Sequence, residues 1–335
     1  MLSRRLFAGA VALGSMSIAL FGPAAAQTRE LKLATVFPPT HLMQRLVWEP
    51  LAADLAARTN NALTLRIYPA GALGASMDGQ YKRAVDNVAE IVYGMQGANS
   101  SLFRRTLMIE LPGAAGNNVE ATNRLWDSMN LIQEDYARTK ILALWTVGPY
   151  ILMSKKPIKS LEDIKGLKVR SPSKIIGDVL QAWGASPVNL PAGKIYEAME
   201  QGVIDAAYIA AGAINSFKLG EVVKYYTVIP PVMTPMFLVM NKDVYDGLPA
   251  DQKKVLDSLT GRELSLKAAR AYDHENDEAL DGQIKSGRGT LGKLSPEELA
   301  RWEKLSDPIR QSVVKDLSDR KMDGDKLFQS LLQKK

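Results

Sequence analysis

Short stretches of alternating apolar and polar residues are followed by longer stretches with helical spacing along this chain. Residues 30–36 alternate and predict a strand, and the apolar positions within residues 41–58 predict a helix that Thr40 could cap. A strand over residues 63–68, a helix over 77–89 and a short strand over 91–93 follow. This order predicts an α/β sheet whose strands are joined by crossover helices.

The same rhythm continues through the second half of the chain. Strands are predicted at residues 141–147, 167–170, around 188, 203–209 and 236–240, with helices near 173–183 and 195–201. Residues 251–285 predict one uninterrupted helix of about 50 Å, long enough to bridge two lobes. The last helix, over residues 295–332, begins with a cap at Ser295, a first-turn Pro296 and a capping-box acid at Glu298.

The amino terminus carries an export pattern. Arg4 and Arg5 precede an apolar run over residues 8–21, and the small residues 24–26 follow it. The run is about 14 residues long, which is shorter than the roughly 20 residues that a membrane-spanning helix needs. Residues 1–26 therefore predict a twin-arginine signal peptide cleaved after Ala26, and a periplasmic mature protein.

Composition narrows the possible chemistry. The chain has 335 residues, of which 46% are apolar, and this length predicts about two domains. It has no Cys and two His, which excludes disulfides and thiolate nucleophiles and disfavours a histidine-rich metal site. Loss of residues 1–26 lowers the net charge from +6 to +4. No basic run is interleaved with aromatic residues, so a nucleic-acid partner is not expected.

Arg170 is the principal candidate for ligand binding. It ends a short predicted strand, and Ser171 and Ser173 open the next helix. A guanidinium beside a helix amino terminus offers a bidentate donor and free backbone N–H groups, an arrangement suited to a carboxylate. On spacing alone, an ordinary surface arginine explains Arg170 as well.

Aromatic residues recur near the ends of the predicted strands, where open α/β sheets bind ligands. Any one of them is compatible with a core position, but as a group they favour a ligand with an apolar or ring-bearing tail. They are Phe37, Tyr93, Trp145, Tyr150, Tyr208 and Phe237. His41 could face a ligand or lie in the core.

Patterns typical of enzymes are weak. Ser171 and Lys174 have the Ser-x-x-Lys spacing of some acyl-transfer enzymes, but a helix cap explains them better. Gly287, Gly289 and Gly292 do not follow a strand, and we interpret them as a flexible connection. His41 and His274 lack a nearby triad, so no enzymatic activity and no cofactor are predicted.

Three blocks resemble the extracytoplasmic solute receptors of tripartite ATP-independent periplasmic (TRAP) transporters, of the DctP-like family. Residues 161–170 read LEDIKGLKVR, residues 183–188 read WGASPV and residues 196–205 read YEAMEQGVID. Residues 66–74, RIYPAGALG, and residues 238–242, LVMNK, agree with the same family. The resemblance implies a type II-like periplasmic binding protein with two α/β lobes, a hinge and a long lobe-spanning helix.

The resemblance also implies a function and a division of the chain. The receptor would close on a small organic acid and deliver it to the small and large membrane subunits of a permease. No acid-rich metal loop stands out in the sequence, so closure without calcium is expected, and a metal that bridges to the ligand is the alternative. Lobe I would comprise residues 27–145 and about 236–265, and lobe II residues 146–235 and about 266–335. Arg170 would hold the carboxylate with Ser171, and the tail would contact Tyr208, Trp145, Tyr150 and Phe237, with Phe37 and Tyr93 at the same strand ends.

Departures from the family pattern suggest the kind of acid. Many members carry a second arginine just before the segment that matches residues 154–158, where this chain reads GPYILM over 148–153. Many also carry an acid-asparagine-proline sequence where this chain reads Tyr208-Ile209-Ala210. A second buried carboxylate without a partner costs several kcal/mol. The sequence thus predicts a monocarboxylate with an apolar or aromatic tail; a dicarboxylate-binding TRAP receptor and the binding protein of an ATP-driven transporter are the alternatives.

Overall fold

A computed structural model describes residues 28–332 of the chain. The predicted signal peptide, residues 1–26, lies outside the described residues. Within the described part, no helix combines the length and apolar character that crossing a membrane requires.

Strands and helices alternate along the described chain. The strands are β1 Arg29–Ala34, β2 Leu63–Tyr68, β3 Ile91–Met95, β4 Thr139–Val147, β5 Tyr150–Ser154, β6 Lys168–Ser171, β7 Ser186–Asn189, β8 Ala206–Ala210, β9 Tyr225–Val228, β10 Thr234–Asn241 and β11 Thr290–Lys293. The α-helices are α1 Glu49–Arg58, α2 Gln80–Val85, α3 Asn118–Asp127, α4 Met129–Ile132, α5 Leu161–Ile164, α6 Lys174–Ala182, α7 Ile195–Glu200, α8 Ala213–Ser216, α9 Lys242–Asp246, α10 Ala250–Leu259, α11 Arg262–Lys285, α12 Pro296–Asp319 and α13 Gly324–Leu332.

The strands form two sheets, and the chain passes from the first sheet to the second, back to the first and again to the second. The first sheet has the order β2-β1-β3-β10-β4 and the second the order β11-β9-β5-β8-β6-β7. In the first sheet β1 is parallel to β2 and β3, whereas β10 is antiparallel to β3 and β4. In the second sheet β6 is parallel to β7 and β8, and β5 is antiparallel to β8. The predicted α/β class is confirmed, with an antiparallel strand in each sheet.

Both faces of each sheet are covered by buried apolar side chains. The long helix α12 packs with both sheets, because its Trp302 belongs to the core of the second sheet and its Leu317 to that of the first. Leu327 and Leu331 of α13 also belong to the first core. This packing departs from the predicted assignment of residues 266–335 to lobe II, and the lobe boundaries stay a prediction.

The predicted uninterrupted helix over residues 251–285 is wrong. It breaks at Thr260 and Gly261, which separate α10 from α11. Gly261 has φ +79° and ψ −146°, a conformation that side-chain-bearing residues rarely adopt, and the Thr260 hydroxyl donates to the Leu256 carbonyl. The shorter helix α11 packs on α3 and β4 of one half and on α8 of the other.

Three smaller predictions also differ from the structure. The helix expected over 41–58 begins with a π-helical turn, Gln44–Trp48, and Thr40 does not cap it. The helix expected over 295–332 is divided between α12 and α13, with positive φ at Lys321 and Asp323. The glycine-rich connection is not simply a flexible link, because Thr290–Lys293 forms the edge strand β11 beside β9.

Helical side chains and the helix break cover the outer edge of β4, the last strand of the first sheet. The Gly261 N–H donates to the Leu142 carbonyl at 2.6 Å. The Leu144 N–H donates to the Ser265 hydroxyl at 2.8 Å, and the Leu144 carbonyl accepts from the Trp126 indole at 2.9 Å. The Thr146 N–H donates to the Thr122 hydroxyl at 3.2 Å. Side chains and one backbone amide thus take the bonds that a further strand would make.

Candidate ligand-binding site

A cavity lies where the ends of the strands of the two sheets face each other. Met95 ends β3 and Met236 lies near the start of β10, while Arg170 and Ala210 lie at the ends of β6 and β8. The cavity has a volume of about 80 Å³, which suits a small molecule. The lining residues are Phe37, His41, Leu42, Met95, Val147, Tyr150, Arg170, Ala192, Ile209, Ala210, Gly212, Ala213, Ser216, Phe217, Met236, Tyr272 and Asn276.

Arg170 is the charged side chain in this lining. It is 3% exposed, its Nε donates to the Leu190 carbonyl at 2.9 Å and its Nη1 to the Tyr208 carbonyl at 3.4 Å. Among residues 28–332 no carboxylate lies within ion-pair distance of the guanidinium. Burial lowers the pKa of Arg170, and the neighbouring Tyr150 opposes that effect. The guanidinium is therefore positioned by backbone carbonyls with its charge directed at the cavity.

Tyr150 lies beside Arg170 at the same end of the cavity. It starts β5, opposite Ala210 of β8, and it is 5% exposed. Burial raises the pKa of the Tyr150 phenol, and the charge of Arg170 partly offsets the rise. The phenol stays protonated at neutral pH and offers a second polar group next to the guanidinium.

Ser171 and Ser173, at the helix start after Arg170, are not among the residues that line the cavity. Ser171 is 1% exposed and its hydroxyl donates to the Ser173 carbonyl at 2.8 Å. The Ser173 hydroxyl accepts from the Ile176 N–H as the cap of α6, and it donates to Glu110 at 2.6 Å. Glu110 is fully buried, which raises its pKa to about 8, and Ser173 opposes the rise. Ser171 thus does not line the cavity, contrary to its predicted contact with the carboxylate.

The opposite wall comes from the first sheet and is mostly apolar. The rings of Phe37 and His41 are stacked with centroids 4.3 Å apart, and the Tyr93 ring lies 5.0 Å behind Phe37. The hydroxyls of Tyr93 and Tyr272 share a hydrogen bond of 2.9 Å. Phe37 lines the cavity as the sequence predicts, whereas Tyr93 lies behind it and supports the wall.

Three further aromatic residues singled out in the sequence lie in the core. Trp145 packs between Trp48 and Tyr93, and Phe237 packs against Phe103 on the other face of the sheet. Tyr208 packs against Trp183, and its hydroxyl donates to the Pro230 carbonyl at 2.6 Å. All three side chains are fully buried, and none of them is among the residues that line the cavity. Strand ends alone do not say which face of the sheet a residue occupies.

Sequence reasoning missed several lining residues. Met95 and Met236 follow from the same strand-end rule that selected the aromatics, and a search for large apolar residues there could have found them. Tyr272 and Asn276 lie one turn apart on α11, a spacing that brings both onto one face. Asn276 accepts from the Gly212 N–H at 2.8 Å and donates to the Gly148 carbonyl at 2.7 Å. Phe217 follows the short helix α8 and carries no such signal.

The arrangement of residues around the cavity suits the binding of a small molecule. Among residues 28–332 no group of three or more His, Asp or Glu side chains is placed to hold a metal ion. The cavity combines one buried cation with apolar walls, which is the usual composition of a site for a small organic anion.

Comparisons with known proteins agree with this class of binding protein. Residues 33–316 match the family model DctP, bacterial extracellular solute-binding protein, family 7. The C4-dicarboxylate-binding periplasmic protein DctP of Rhodobacter capsulatus is 25% identical over 326 residues, covering 94% of this chain and 95% of the relative.

Solved structures are also similar. A marine metagenome TRAP solute-binding protein specific for aromatic acid ligands, solved with 3-hydroxybenzoate, has a TM-score of 0.86 and 27% identity, covering 90% of this chain and 96% of the other. A TRAP solute-binding protein of Rhodoferax ferrireducens, solved with copurified benzoate, has a TM-score of 0.86 and 25% identity, covering 91% and 96%.

The fold and the site define a two-sheet solute-binding protein with a buried cation in its cavity. The chain belongs to the DctP family of bacterial extracellular solute-binding proteins, the receptors of TRAP transporters for organic acids. The members of this family bind substrates for transport and are not enzymes.

Proposed function

We propose that this protein captures a monocarboxylate with an aromatic or apolar tail and delivers it to the small and large membrane subunits of a TRAP permease. The observation that carries the proposal is the buried guanidinium of Arg170, which has no carboxylate partner among the described residues. Burying a charge costs several kcal/mol unless a partner offsets it. A ligand carboxylate between the two walls would supply that partner.

The remaining walls favour a tail without a second charge. Phe37 and Phe217 offer aromatic surface, and Met95, Ile209 and Met236 offer aliphatic surface. No second lysine or arginine is among the lining residues. A second carboxylate would lose its hydration at these walls without gaining a cation, which disfavours a C4-dicarboxylate. The two similar structures solved with benzoate and 3-hydroxybenzoate support the same class of ligand.

Proposed ligand contacts are limited to side chains that line the cavity. Arg170 and Tyr150 would bind the carboxylate, and Phe37 would pack against the ring. Five residues singled out in the sequence would not contact the ligand and would support the wall from behind. They are Ser171, Tyr208, Trp145, Phe237 and Tyr93. Export by residues 1–26 and a hinge between the two lobes are parts of the same proposal.

Titration calorimetry with a panel of acids tests this proposal. Benzoate and phenylacetate should bind the wild-type protein, whereas succinate and malate should bind much more weakly or not at all. Arg170→Met should lose about 2–5 kcal/mol of binding free energy, the range for removing one partner of a buried charge pair. Arg288→Met, at an exposed arginine, is the matched control and should bind like the wild type.

Different results of these titrations would refute different parts of the proposal. A loss of less than threefold in Arg170→Met would refute the role of the guanidinium. Binding confined to dicarboxylates would refute the monocarboxylate class while leaving the receptor intact. Thermal unfolding of the ligand-free variants shows whether a loss of binding reflects a loss of the fold.

A further inference from the structure

His41 is a polar side chain in the first-sheet wall, across the cavity from the sheet that carries Arg170. It lies in the segment that follows β1, lines the cavity and is 7% exposed. Its ring stacks on Phe37 at 4.3 Å and meets Tyr272 edge-on at 6.3 Å. The imidazole is therefore held in a fixed orientation by two aromatic neighbours.

The hydrogen bonding of His41 determines which ring nitrogen carries the proton. Nδ1 accepts the backbone N–H of Met43 at 3.3 Å. A neutral imidazole that accepts at Nδ1 carries its proton at Nε2. Burial, assisted by the positive charge of Arg45, lowers the pKa of His41 to about 4, so the ring is neutral at physiological pH. Nε2–H is then a neutral donor, and no residue among 28–332 accepts its hydrogen bond.

The other polar groups on this side of the cavity already have partners. The Tyr272 and Tyr93 hydroxyls share one hydrogen bond, and the Asn276 amide oxygen and one of its N–H groups are bonded to backbone atoms of Gly212 and Gly148. The Nε2–H of His41 makes no hydrogen bond within residues 28–332, and it lies beside the Phe37 ring, where a tail oxygen of a ligand packed on that ring would meet it. A donor left without a partner inside a filled apolar cavity costs more than the net gain of an ordinary hydrogen bond.

We infer that His41 is a specificity-determining residue, whose Nε2–H donates to a hydroxyl or keto oxygen on the tail of the bound acid. The preferred ligands are aromatic monocarboxylates that carry one such oxygen, and the parent acids without it bind more weakly. The inference rests on the proposed function, because it assumes that Arg170 holds the carboxylate at the other end.

Two substitutions separate the donor from the structural role of the ring. His41→Asn keeps a side-chain oxygen that can accept the Met43 N–H, as in an Asx turn, but it is too short to replace Nε2. His41→Gln offers an N–H donor at greater reach. Affinities of benzoate and its 2-, 3- and 4-hydroxy derivatives should be measured by calorimetry for the wild type and both variants.

In the wild type, one hydroxybenzoate isomer should bind about 3- to 10-fold more tightly than benzoate, the range for one net hydrogen bond. His41→Asn should abolish that preference while keeping benzoate affinity within about threefold, and His41→Gln should restore part of it. Equal hydroxybenzoate-to-benzoate ratios in all three proteins would overturn the inference and leave the proposed function standing. If no aromatic acid binds the wild type, the proposed function fails and the inference fails with it.

Nuclear magnetic resonance gives a second readout, because the chain has two histidines. In ¹⁵N-histidine-labelled protein, the Nε2–H signal of His41 should shift more with the preferred hydroxybenzoate than with benzoate. The exposed His274 on α11 supplies an internal reference that should not move. Shifts of the same size with both acids would argue against the hydrogen bond.

Discussion

The two walls of the cavity differ in their chemistry. The second-sheet wall presents Arg170 and Tyr150, both buried and polar, at the ends of β6 and β5. The first-sheet wall presents Phe37 and the neutral His41 in front of an aromatic core. The second-sheet wall carries the charge and the first-sheet wall is mostly aromatic, so we expect the proposed ligand to contact both. Substitutions on the two walls should therefore affect different measurements.

The largest expected difference concerns stability. Trp145→Ala removes a fully buried indole that packs against Trp48 and Tyr93 behind the first-sheet wall. The free energy of unfolding in urea should fall by about 3–5 kcal/mol, as for other large-to-small core changes. Arg170→Met should keep the wild-type value or exceed it, because a buried charge without a carboxylate partner is removed. A loss of less than about 1 kcal/mol for Trp145→Ala would contradict the core assignment.

The second expected effect is a pH dependence that arises where the two halves touch. Glu110 lies in the segment between β3 of the first sheet and α3. It accepts a hydrogen bond from Ser173, the N-cap residue of α6, which packs with the second sheet. Burial raises the pKa of Glu110 from about 4.5 to about 8, so the folded state holds the proton more tightly than the unfolded state. The stabilisation from this group is complete below pH 4.5 and is lost as the pH rises through 8.

Urea unfolding between pH 5 and pH 8 measures that dependence. The free energy of unfolding should fall by about 1.4 kcal/mol per pH unit more steeply in the wild type than in Glu110→Gln, which cannot ionise. Asp135 and Asp273, whose pKa values burial also raises, contribute equally to both proteins and cancel in the difference. Parallel profiles of the two proteins would show that Glu110 does not titrate in this range.

The smallest expected effect lies behind the first-sheet wall. Tyr93→Phe removes the 2.9 Å hydrogen bond to Tyr272 and should lower the free energy of unfolding by about 1 kcal/mol. The double variant Tyr93→Phe/Tyr272→Phe should lose less than the sum of the single changes, because no hydroxyl is left without its partner. Strict additivity in urea unfolding would show that the pair is not coupled.

The sequence predicts the elements of this fold better than its breaks. Most strands lie within a few residues of their predicted positions, because a buried strand leaves a short apolar or alternating run. The interruption at Gly261 was missed since apolar residues keep helical spacing on both sides of it. The sequence shows a glycine at this position. It does not show the backbone angles of Gly261 or its hydrogen bond to Leu142, which exist only in the folded structure.

Some residues of the candidate site could also be predicted from the sequence, and others could not. Arg170 could be identified because it stands between a predicted strand and a helix start and because the neighbouring block resembles a family pattern. The aromatic residues could not be sorted, since Trp145 and Phe237 end up behind or on the far side of the sheet that Phe37 fronts. Asn276 reaches the cavity from α11 and Phe217 from the residue after α8, and only tertiary packing brings these segments there.

The covered edge of β4 has a consequence for how the protein behaves at high concentration. Four successive backbone groups, from the Leu142 carbonyl to the Thr146 N–H, are bonded to Gly261, Ser265, Trp126 and Thr122. An edge strand with free donors and acceptors can pair with a strand of another molecule and begin aggregation. The helix break at Gly261 and three side chains close that route at this edge, so the glycine that precedes α11 also helps to block intermolecular pairing along β4.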